Sequence, residues 1–270
     1  MKFAVIGHPI QHSLSPMMHH ANFKSLDEAH EYEALNIDPK HFHHIKSIIS
    51  ERNLDGFNVT IPHKERIIPY LDALSPAAET IGAVNTVKIK EGKWIGYNTD
   101  GSGFVEGLKH RYPHLQDARI LIIGAGGASK GIAYALKTIS KHPITVANRT
   151  LERLNKWTFD VYPLDLKEVI SNIGQFDIVI NTTPLGMDQS TESILNLTGI
   201  PQHILVCDII YTPFETPFLK QARLNGNETY NGLDMFIYQG AESYEIWTNQ
   251  QANIEAMKER VLEHLKSNQN

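Results

Sequence analysis

Residues 120–129 read ILIIGAGGAS, and their order decides the fold. Four large aliphatic residues give way to a glycine cluster, and a helical pattern then runs through Ile132, Ala135, Leu136 and Ile139. Strand, glycine turn and helix in that succession are the context in which a glycine motif reports on a phosphate-bearing ligand. Gly124 supplies the tight turn, Gly126 lets the backbone approach a pyrophosphate, and the helix that follows aims its free N–H groups at the phosphates. The third motif position holds Ser129 in place of Gly, with an extra Gly127 beside it. A small residue there still permits helix–strand packing.

Downstream, the strand pattern Ile144–Ala147 ends in Asn148-Arg149-Thr150, with Asn148 lying 24 residues beyond Gly124. Domains that bind NAD carry an Asp or Glu near this point to hold the ribose 2′-hydroxyl. None is present, and Arg149 with Arg153 one turn later supplies positive charge suited to a 2′-phosphate, so the pattern favours NADP. The plain alternative is a pair of surface arginines near a helix start. Two more strands of parallel type, Phe176–Asn181 and Ile204–Asp208, end in the polar loops Thr182–Met187 and Tyr211–Pro213. From Gly232 the pattern is helical to the end of the chain. Two consecutive helices with no strand between them cannot extend a dinucleotide sheet, so they are expected to pack on the first domain with Gln239 as a bridging residue. Ordinary interhelix polarity explains Gln239 equally well.

Upstream, Lys2–Gly7 is short and apolar, as a strand buried on both faces should be, and it runs into the loop GHPIQHSLSP. Pro16 suits the first turn of a helix, which makes Ser15 a candidate N-cap and the loop, with Ser13, a candidate carboxylate site. Pro39–Glu51 reads as a helix with Phe42, Ile45, Ile48 and Ile49 on one face. The run GFNVTIPHK, residues 56–64, is then a strand stopped by Pro62, which has no N–H to give a central ladder. Asn58 and Thr60 alternate on it and share a face. Lys64 lies where open α/β folds place their ligands, although a lysine in a loop is most simply solvated. Ile67, Ile68 and Leu71 suggest a further helix, and Ser75-Pro76 starts a short one ending near Gly82. Ala83–Lys90, which contains Asn85, and Lys93–Tyr97 read as a hairpin turning at Glu91-Gly92. Asp100 precedes a helical stretch, where capping is its plain role.

The 270 residues suggest two domains. A formal charge of −5 with acids and bases interspersed argues against nucleic acid or a membrane surface as partner. No apolar run approaches the roughly 18 to 20 residues that span a bilayer, and the N-terminus has no signal-peptide pattern, which points to the cytoplasm. Cys207 is the single cysteine, so an intrachain disulfide and a multi-thiolate zinc site are excluded. Nine of the 14 histidines precede residue 64, yet no acid or cysteine spacing accompanies them, and no metal site is expected.

Nine stretches taken together resemble the NADP-dependent shikimate dehydrogenase family: GHPIQHSLSPMMHHANF, GFNVTIPHK, IGAVNT, GYNTDGSG, GAGGAS, NRT, NTTPLGM, DIIYTPFETPFL and NGLDMFIYQGAESYEIWT. They occur in the family's order over nearly the whole chain. The resemblance implies that Ser13 and Ser15 bind the substrate carboxylate, that Asn58, Thr60, Asn85, Tyr211 and Gln239 contact the ring, and that Lys64 and Asp100 are the catalytic pair. It further implies Gly124, Ala125, Gly126, Gly127 and Ala128 at the pyrophosphate, and Asn148, Arg149, Thr150 and Arg153 near the adenosine phosphate. Ile209, Gly232 and Met235 would lie toward the nicotinamide. The chain departs from the family's usual residues at His20 for Asn, Phe236 for Leu and Tyr244 for Phe, positions that bear on packing.

The expectation is therefore an α/β protein of two domains. Residues 1–100, completed by helices in 236–270, form a substrate domain with a mainly parallel sheet, and residues 101–235 form a Rossmann-like NADP-binding domain. The resemblance implies reduction of 3-dehydroshikimate to shikimate by NADPH in the cleft between them, in aromatic amino-acid biosynthesis, by a monomer or homodimer. Two alternatives are a quinate/shikimate dehydrogenase of broader specificity, against which the paired serines and the missing ribose acid count, and a silent NADPH sensor. The sensor should have lost Lys64 or Asp100.

Overall fold

In the computed structural model, which describes residues 1–187 and 192–267, β1 (Lys2–Gly7) pairs in parallel with β2 (Glu31–Asn36) on one side and β3 (Gly56–Val59) on the other. With β4 (Ala73–Leu74), β5 (Thr86–Lys90) and β6 (Lys93–Tyr97) they form a six-stranded sheet in the order β2-β1-β3-β5-β6-β4. The β5–β6 hairpin turns at Glu91 and Gly92, with φ of 52° and 75°, because a two-residue turn matching the strand twist needs left-handed backbone at both positions. Alternation sorts the side chains. Phe3 and Val5 pack with Phe23 of α1 (Ser15–Ser25), whereas Ala4, Ile6, Phe57, Val59 and Val87 pack with Ile45 and Ile49 of α2 (Ile45–Arg52) and Ala78 of α3 (Pro76–Ile81).

Four local expectations change. Ser15 is the first helical residue of α1 and Leu14 the N-cap, with no side-chain cap, because Pro16 is accommodated in the first turn with Ser15 already helical. The helix expected over 39–51 opens as a 3-10 turn, Pro39–His44, capped by Asp38, and becomes α-helical only at Ile45. Around Ile67 to Leu71 only a 3-10 turn, Ile68–Tyr70, forms, since Pro69 lacks the N–H that a longer helix would use. Asn85 lies just before β5, not inside it.

The second sheet is parallel throughout. After α4 (Asp100–Arg111) come β7 (Ile120–Ile123), α5 (Gly127–Lys137), β8 (Thr145–Asn148), β9 (Tyr162–Asp165), α6 (Val169–Asn172), β10 (Ile178–Asn181), β11 (Leu205–Asp208), α7 (Pro217–Leu224) and β12 (Thr229–Tyr230). The strand order is β12-β11-β10-β7-β8-β9, which is that of a dinucleotide-binding Rossmann sheet, and it reverses between β7 and β10. Ile120, Ile122, Ile178, Ile180 and Cys207 pack with α4 and α5 on one face, and Leu121, Ile123, Val179 and Val206 with Phe218 and Leu219 of α7 on the other. Burial pushes the Cys207 thiol pKa well up, so it is an inert core residue. The edge strands β9 and β12 escaped the sequence reading: β12 is two residues long and β9 carries Pro163.

Helices α8 (Leu233–Thr248) and α9 (Ile254–Ser267) close the chain, and residues 268–270 of the expected terminal helix lie outside the described residues. The chain separates into two units, Met1–Thr99 with Ile237–Asn270 and Asp100–Phe236. Within the first, Trp247 of α8 stacks on Phe3 at 4.5 Å between centroids and donates its indole N–H to the Val87 carbonyl at 2.9 Å. Among the described residues no helix is long and apolar enough to cross a membrane.

Candidate functional site

In the first unit the polar residues gather on the face of the sheet that carries Phe3 and Val5. Asn58 lies between Phe57 and Val59, so it faces away from α2, toward Tyr32, Thr86 and Ser243. Its amide nitrogen donates to the Asn85 carbonyl at 3.1 Å, Thr86 Oγ1 at 3.1 Å and Ser243 Oγ at 2.9 Å, and its Oδ1 accepts the Tyr32 hydroxyl proton at 2.7 Å. Asn85 continues the network. Its Nδ2 donates to Thr99 Oγ1 at 2.9 Å and Gln239 Oε1 at 3.4 Å, and its Oδ1 accepts the Thr99 N–H at 2.8 Å and the Thr86 hydroxyl at 3.0 Å. The Thr99 and Ser243 hydroxyls both donate to the Gln239 carbonyl, at 2.9 and 2.8 Å. Three of the predicted ring-binding residues, Asn58, Asn85 and Gln239, thus stand in one buried network whose members hold one another's orientation.

Lys64 lies beside it. The chain turns after β3 with the His63 N–H on the Thr60 carbonyl at 2.9 Å, and the Lys64 carbonyl accepts the Val84 N–H at 2.8 Å, one residue before Asn85. His63 anchors this turn: its Nε2 donates to the Ile37 carbonyl at 2.7 Å and its ring stacks on Phe42 at 4.3 Å. Burial holds the His63 pKa below its ordinary value, which keeps that ring neutral in the core. Thr60 is half-buried just past β3, tied by its N–H to the Ile6 carbonyl at 2.9 Å. In the loop after β1, Ser13 Oγ accepts the Ser15 N–H at 3.3 Å, and Ser15 is buried.

The second unit carries the other predicted residues at the carboxyl end of its sheet. Gly124 has φ of 115°, and a Cβ there would come within 2.6 Å of Thr182 Oγ1, so both backbone and space demand glycine. Ser129 is fully buried and donates to the Gly124 carbonyl at 2.5 Å, tying helix to turn as the departure from a third glycine required. At Gly126 and Gly127 a Cβ would meet no protein atom at all. Nothing inside the protein calls for glycine there, and the bare N-terminus of α5 is open to the kind of phosphate-bearing ligand that helix N-termini bind. Ala125 and Ala128 flank them, half-buried. At the end of β8, Asn148 Nδ2 donates to the Thr150 carbonyl at 2.8 Å, and Arg149, Thr150 and Arg153 are exposed, Arg153 on a 3-10 turn instead of an α-helix. This chain therefore offers an anion cradle with cationic residues after β8 and no ribose acid among Asn148, Arg149 and Thr150, a set that fits NADP.

Past β11 the chain is held by Asp208, whose buried carboxylate accepts from Asn181 Nδ2 at 3.1 Å, the Ile210 N–H at 3.0 Å and the Thr216 hydroxyl at 2.8 Å. Burial pushes its pKa up to about 6. Ile209 gives its N–H to the Asn181 carbonyl at 3.1 Å, and a Cβ on Gly232 would run into the Ile209 carbonyl. Tyr211 stacks on Phe236 at 4.9 Å, and Met235 packs on the core beneath β11. Asp100 is buried as the first residue of α4 and directly follows Thr99.

Sequence reading singled out neither Tyr32, His63, Thr86, Thr99 and Ser243, which hold the polar residues of the first unit, nor Asp208, which holds the loop after β11 in the second. Ser243 had a signal, one helical turn beyond Gln239, and Thr86 pairs opposite Asn58 once the β3–β5 register is known. Tyr32 had none. Among the described residues no group of three His, Cys, Asp or Glu side chains could hold a metal ion.

Three family models match the chain: a shikimate dehydrogenase substrate binding domain over residues 5–87, shikimate / quinate 5-dehydrogenase over 106–209 and a shikimate 5′-dehydrogenase C-terminal domain over 232–262. The shikimate dehydrogenase (NADP(+)) of Staphylococcus epidermidis is 57% identical over 98% of this chain and 99% of its own length. That of Staphylococcus aureus is 59% identical over 98% and 99%. Among solved structures, the shikimate 5-dehydrogenase of Thermus thermophilus, in complex with NADP(H) and shikimate, is 33% identical over 96% of this chain and 98% of its own, with a TM-score of 0.87.

Proposed function

The chain belongs to the shikimate dehydrogenase family, and from that premise we infer that it reduces 3-dehydroshikimate reversibly to shikimate with NADP as cofactor, using Lys64 and Asp100 as its catalytic residues. The observation that carries the assignment of residues is the buried network joining Asn58, Asn85, Thr99 and Gln239, beside which the Val84 N–H pins the backbone of Lys64. Fixed amide dipoles of this kind recognise hydroxyl groups on a ring, and they cost no reorganisation when the substrate arrives.

When bound, NADPH supplies the hydride. Lys64 Nζ gives the carbonyl oxygen its proton, or stabilises the alkoxide as charge develops on it. The Asp100 carboxylate orients Lys64 and accepts from a substrate hydroxyl. Ser13 and Ser15 donate to the substrate carboxylate, Thr60 and Tyr211 complete the contacts to the ring, and Gln239 adds its side-chain amide. Gly124 to Ala128 would hold the pyrophosphate at the start of α5, Asn148, Arg149, Thr150 and Arg153 would hold the 2′-phosphate, and Ile209, Gly232 and Met235 would lie toward the nicotinamide.

NADPH and NADH oxidation measured side by side with 3-dehydroshikimate and 3-dehydroquinate tests the reading. The combination of NADPH with 3-dehydroshikimate should give the highest kcat/KM. A comparable value for 3-dehydroquinate would make the protein a quinate/shikimate enzyme, and no turnover with any pair would defeat the catalytic assignment.

A further inference from the structure

β10 and β11 end side by side with Asn181 directly opposite Asp208, and the loops that leave them, 182–187 and 209–216, are tied to each other through these two side chains. Both side chains are fully buried, as is Thr216 at the start of α7. Asp208 Oδ1 accepts the Ile210 N–H at 3.0 Å, and Oδ2 accepts Asn181 Nδ2 at 3.1 Å and the Thr216 hydroxyl at 2.8 Å. Asn181 Oδ1 in turn accepts the N–H of Thr183 at 3.0 Å and its hydroxyl at 2.7 Å. Thr182, between these two, gives its N–H and its hydroxyl to the Ile123 carbonyl at 2.9 and 2.7 Å and lies against the Gly124 turn. A continuous set of bonds thus runs from the loop after β11, through Asp208 and Asn181, to the loop after β10 and the glycine turn.

The directions of these bonds follow from counting donors. The Ile210 N–H can only donate. Asn181 cannot turn its amide over, because the Thr183 N–H needs its oxygen, so its nitrogen must face Asp208. Thr216 caps α7 by accepting the Leu219 N–H at 3.3 Å and gives its own proton to the carboxylate. Three donors converging on one side chain call for a group that only accepts, which an ionised carboxylate is and an amide is not. The three bonds also oppose the burial that disfavours the charge.

We propose that Asp208 is a positioning residue for the cofactor, a three-donor latch that holds the loops after β10 and β11 against the glycine turn and so presents an ordered site to NADPH. The inference rests on the reading of the glycine turn as the pyrophosphate site given above. It concerns order before binding. Where the latch is broken, binding has to assemble the loops first, and the apparent affinity falls with the fraction of molecules in which they stand assembled.

Asp208→Asn keeps the shape and has one acceptor fewer. With its oxygen toward Ile210 its amide nitrogen meets that of Asn181, and turned over it meets the Ile210 N–H. Asn181→Asp sets two carboxylates face to face. The double variant, Asn181→Asp with Asp208→Asn, restores the pair with its polarity reversed: the new carboxylate accepts from Thr183 and from the new amide, whose oxygen accepts the Ile210 N–H. Dissociation constants for NADPH and for shikimate are measured by titration on the native protein, both single variants and the double variant, with Tm recorded for each. The expected result is a roughly 10- to 100-fold weaker NADPH binding in each single variant, the size of a lost hydrogen bond to a charged group, and recovery of most of it in the double variant. Shikimate binding, most of whose assigned ligands lie in the first unit, should change less. A fall in Tm with NADPH binding unchanged, equal losses for both ligands, or a double variant no better than the single ones overturns the latch and leaves Asp208 a structural residue. If the single variants fail to fold, Thr216→Val removes one donor alone and should weaken NADPH by a smaller factor, and native affinity there overturns the latch as well. If the native protein itself does not bind NADPH, the cofactor reading falls and the inference with it.

Discussion

The side-chain oxygen of Asn85 accepts the backbone N–H of Thr99 at 2.8 Å, so the residue just before β5 clamps the chain immediately before Asp100. The same amide serves Thr86, Thr99 Oγ1 and Gln239, and Asn85 is 2% exposed. Asn85→Ala should therefore act on stability and activity together. Stranding several buried polar groups at 1 to 3 kcal/mol apiece gives an expected loss of about 2 to 4 kcal/mol in urea unfolding. A loss under about 0.5 kcal/mol, the scale of an ordinary surface substitution, would show that solvent reaches the network freely.

Lys64→Ala should lower kcat by on the order of 10²- to 10⁴-fold, the range for removing a general acid–base group, with a much smaller change in KM for shikimate. Asp100→Asn should also lower kcat. Steady-state kinetics on variants of unchanged Tm checks this, and near-normal turnover by the Lys64 variant would end its catalytic assignment.

Arg149 is exposed beyond β8 in a segment without an acid to hold a ribose hydroxyl. Arg149→Ala should cost NADPH roughly 10- to 150-fold in kcat/KM, one charge-assisted contact, while NADH use stays nearly level. The NADPH preference should also shrink as salt is added, because exposed charges are screened within about 8 Å at physiological ionic strength. A variant that loses both cofactors equally would show that Arg149 does not read the 2′-phosphate.

His19 gives a prediction in pH. Burial, aided by the neighbouring His20, lowers its pKa from 6.5 to about 3. Between those values the unfolded chain binds a proton that the folded one refuses, so stability is at its full value above 6.5 and falls as the pH drops toward 3. The shift corresponds to a contribution on the order of 5 kcal/mol. Asp208 acts in the opposite sense between 3.8 and about 6, since its folded pKa is raised. The His19 share is therefore read as a difference between proteins. His19→Phe, which preserves a ring against Tyr32, should unfold in acid along a shallower curve than the native protein. Parallel curves would mean that the imidazole is protonated in the fold.

What the sequence determined by itself is local. Strand, glycine turn and helix at 120–137, the missing acid after β8, the Glu91-Gly92 hairpin and the serines before Pro16 depend on neighbours a few residues apart, where backbone preference and side-chain period speak directly. Short pieces held by the rest of the molecule were illegible. β4 and β12 are two residues long and exist because an edge of a sheet is there to pair with, and the segment at Ile67 to Leu71 had helical spacing that Pro69 overruled.

The tertiary structure alone decided which polar residues meet. Tyr32 and Asn58 are 26 residues apart, and Asn58 and Ser243 are 185 apart, yet each pair is joined by a hydrogen bond. Strand register and the packing of α8 on the sheet create those encounters, and a polar side chain with no partner nearby in sequence carries no mark of the partner it will find. Burial then fixes what they do. It keeps His19 neutral and turns Asn58 and Asn85 from soluble amides into oriented dipoles, because an unpaired polar group in that interior would be costly and every member must find its donor or acceptor.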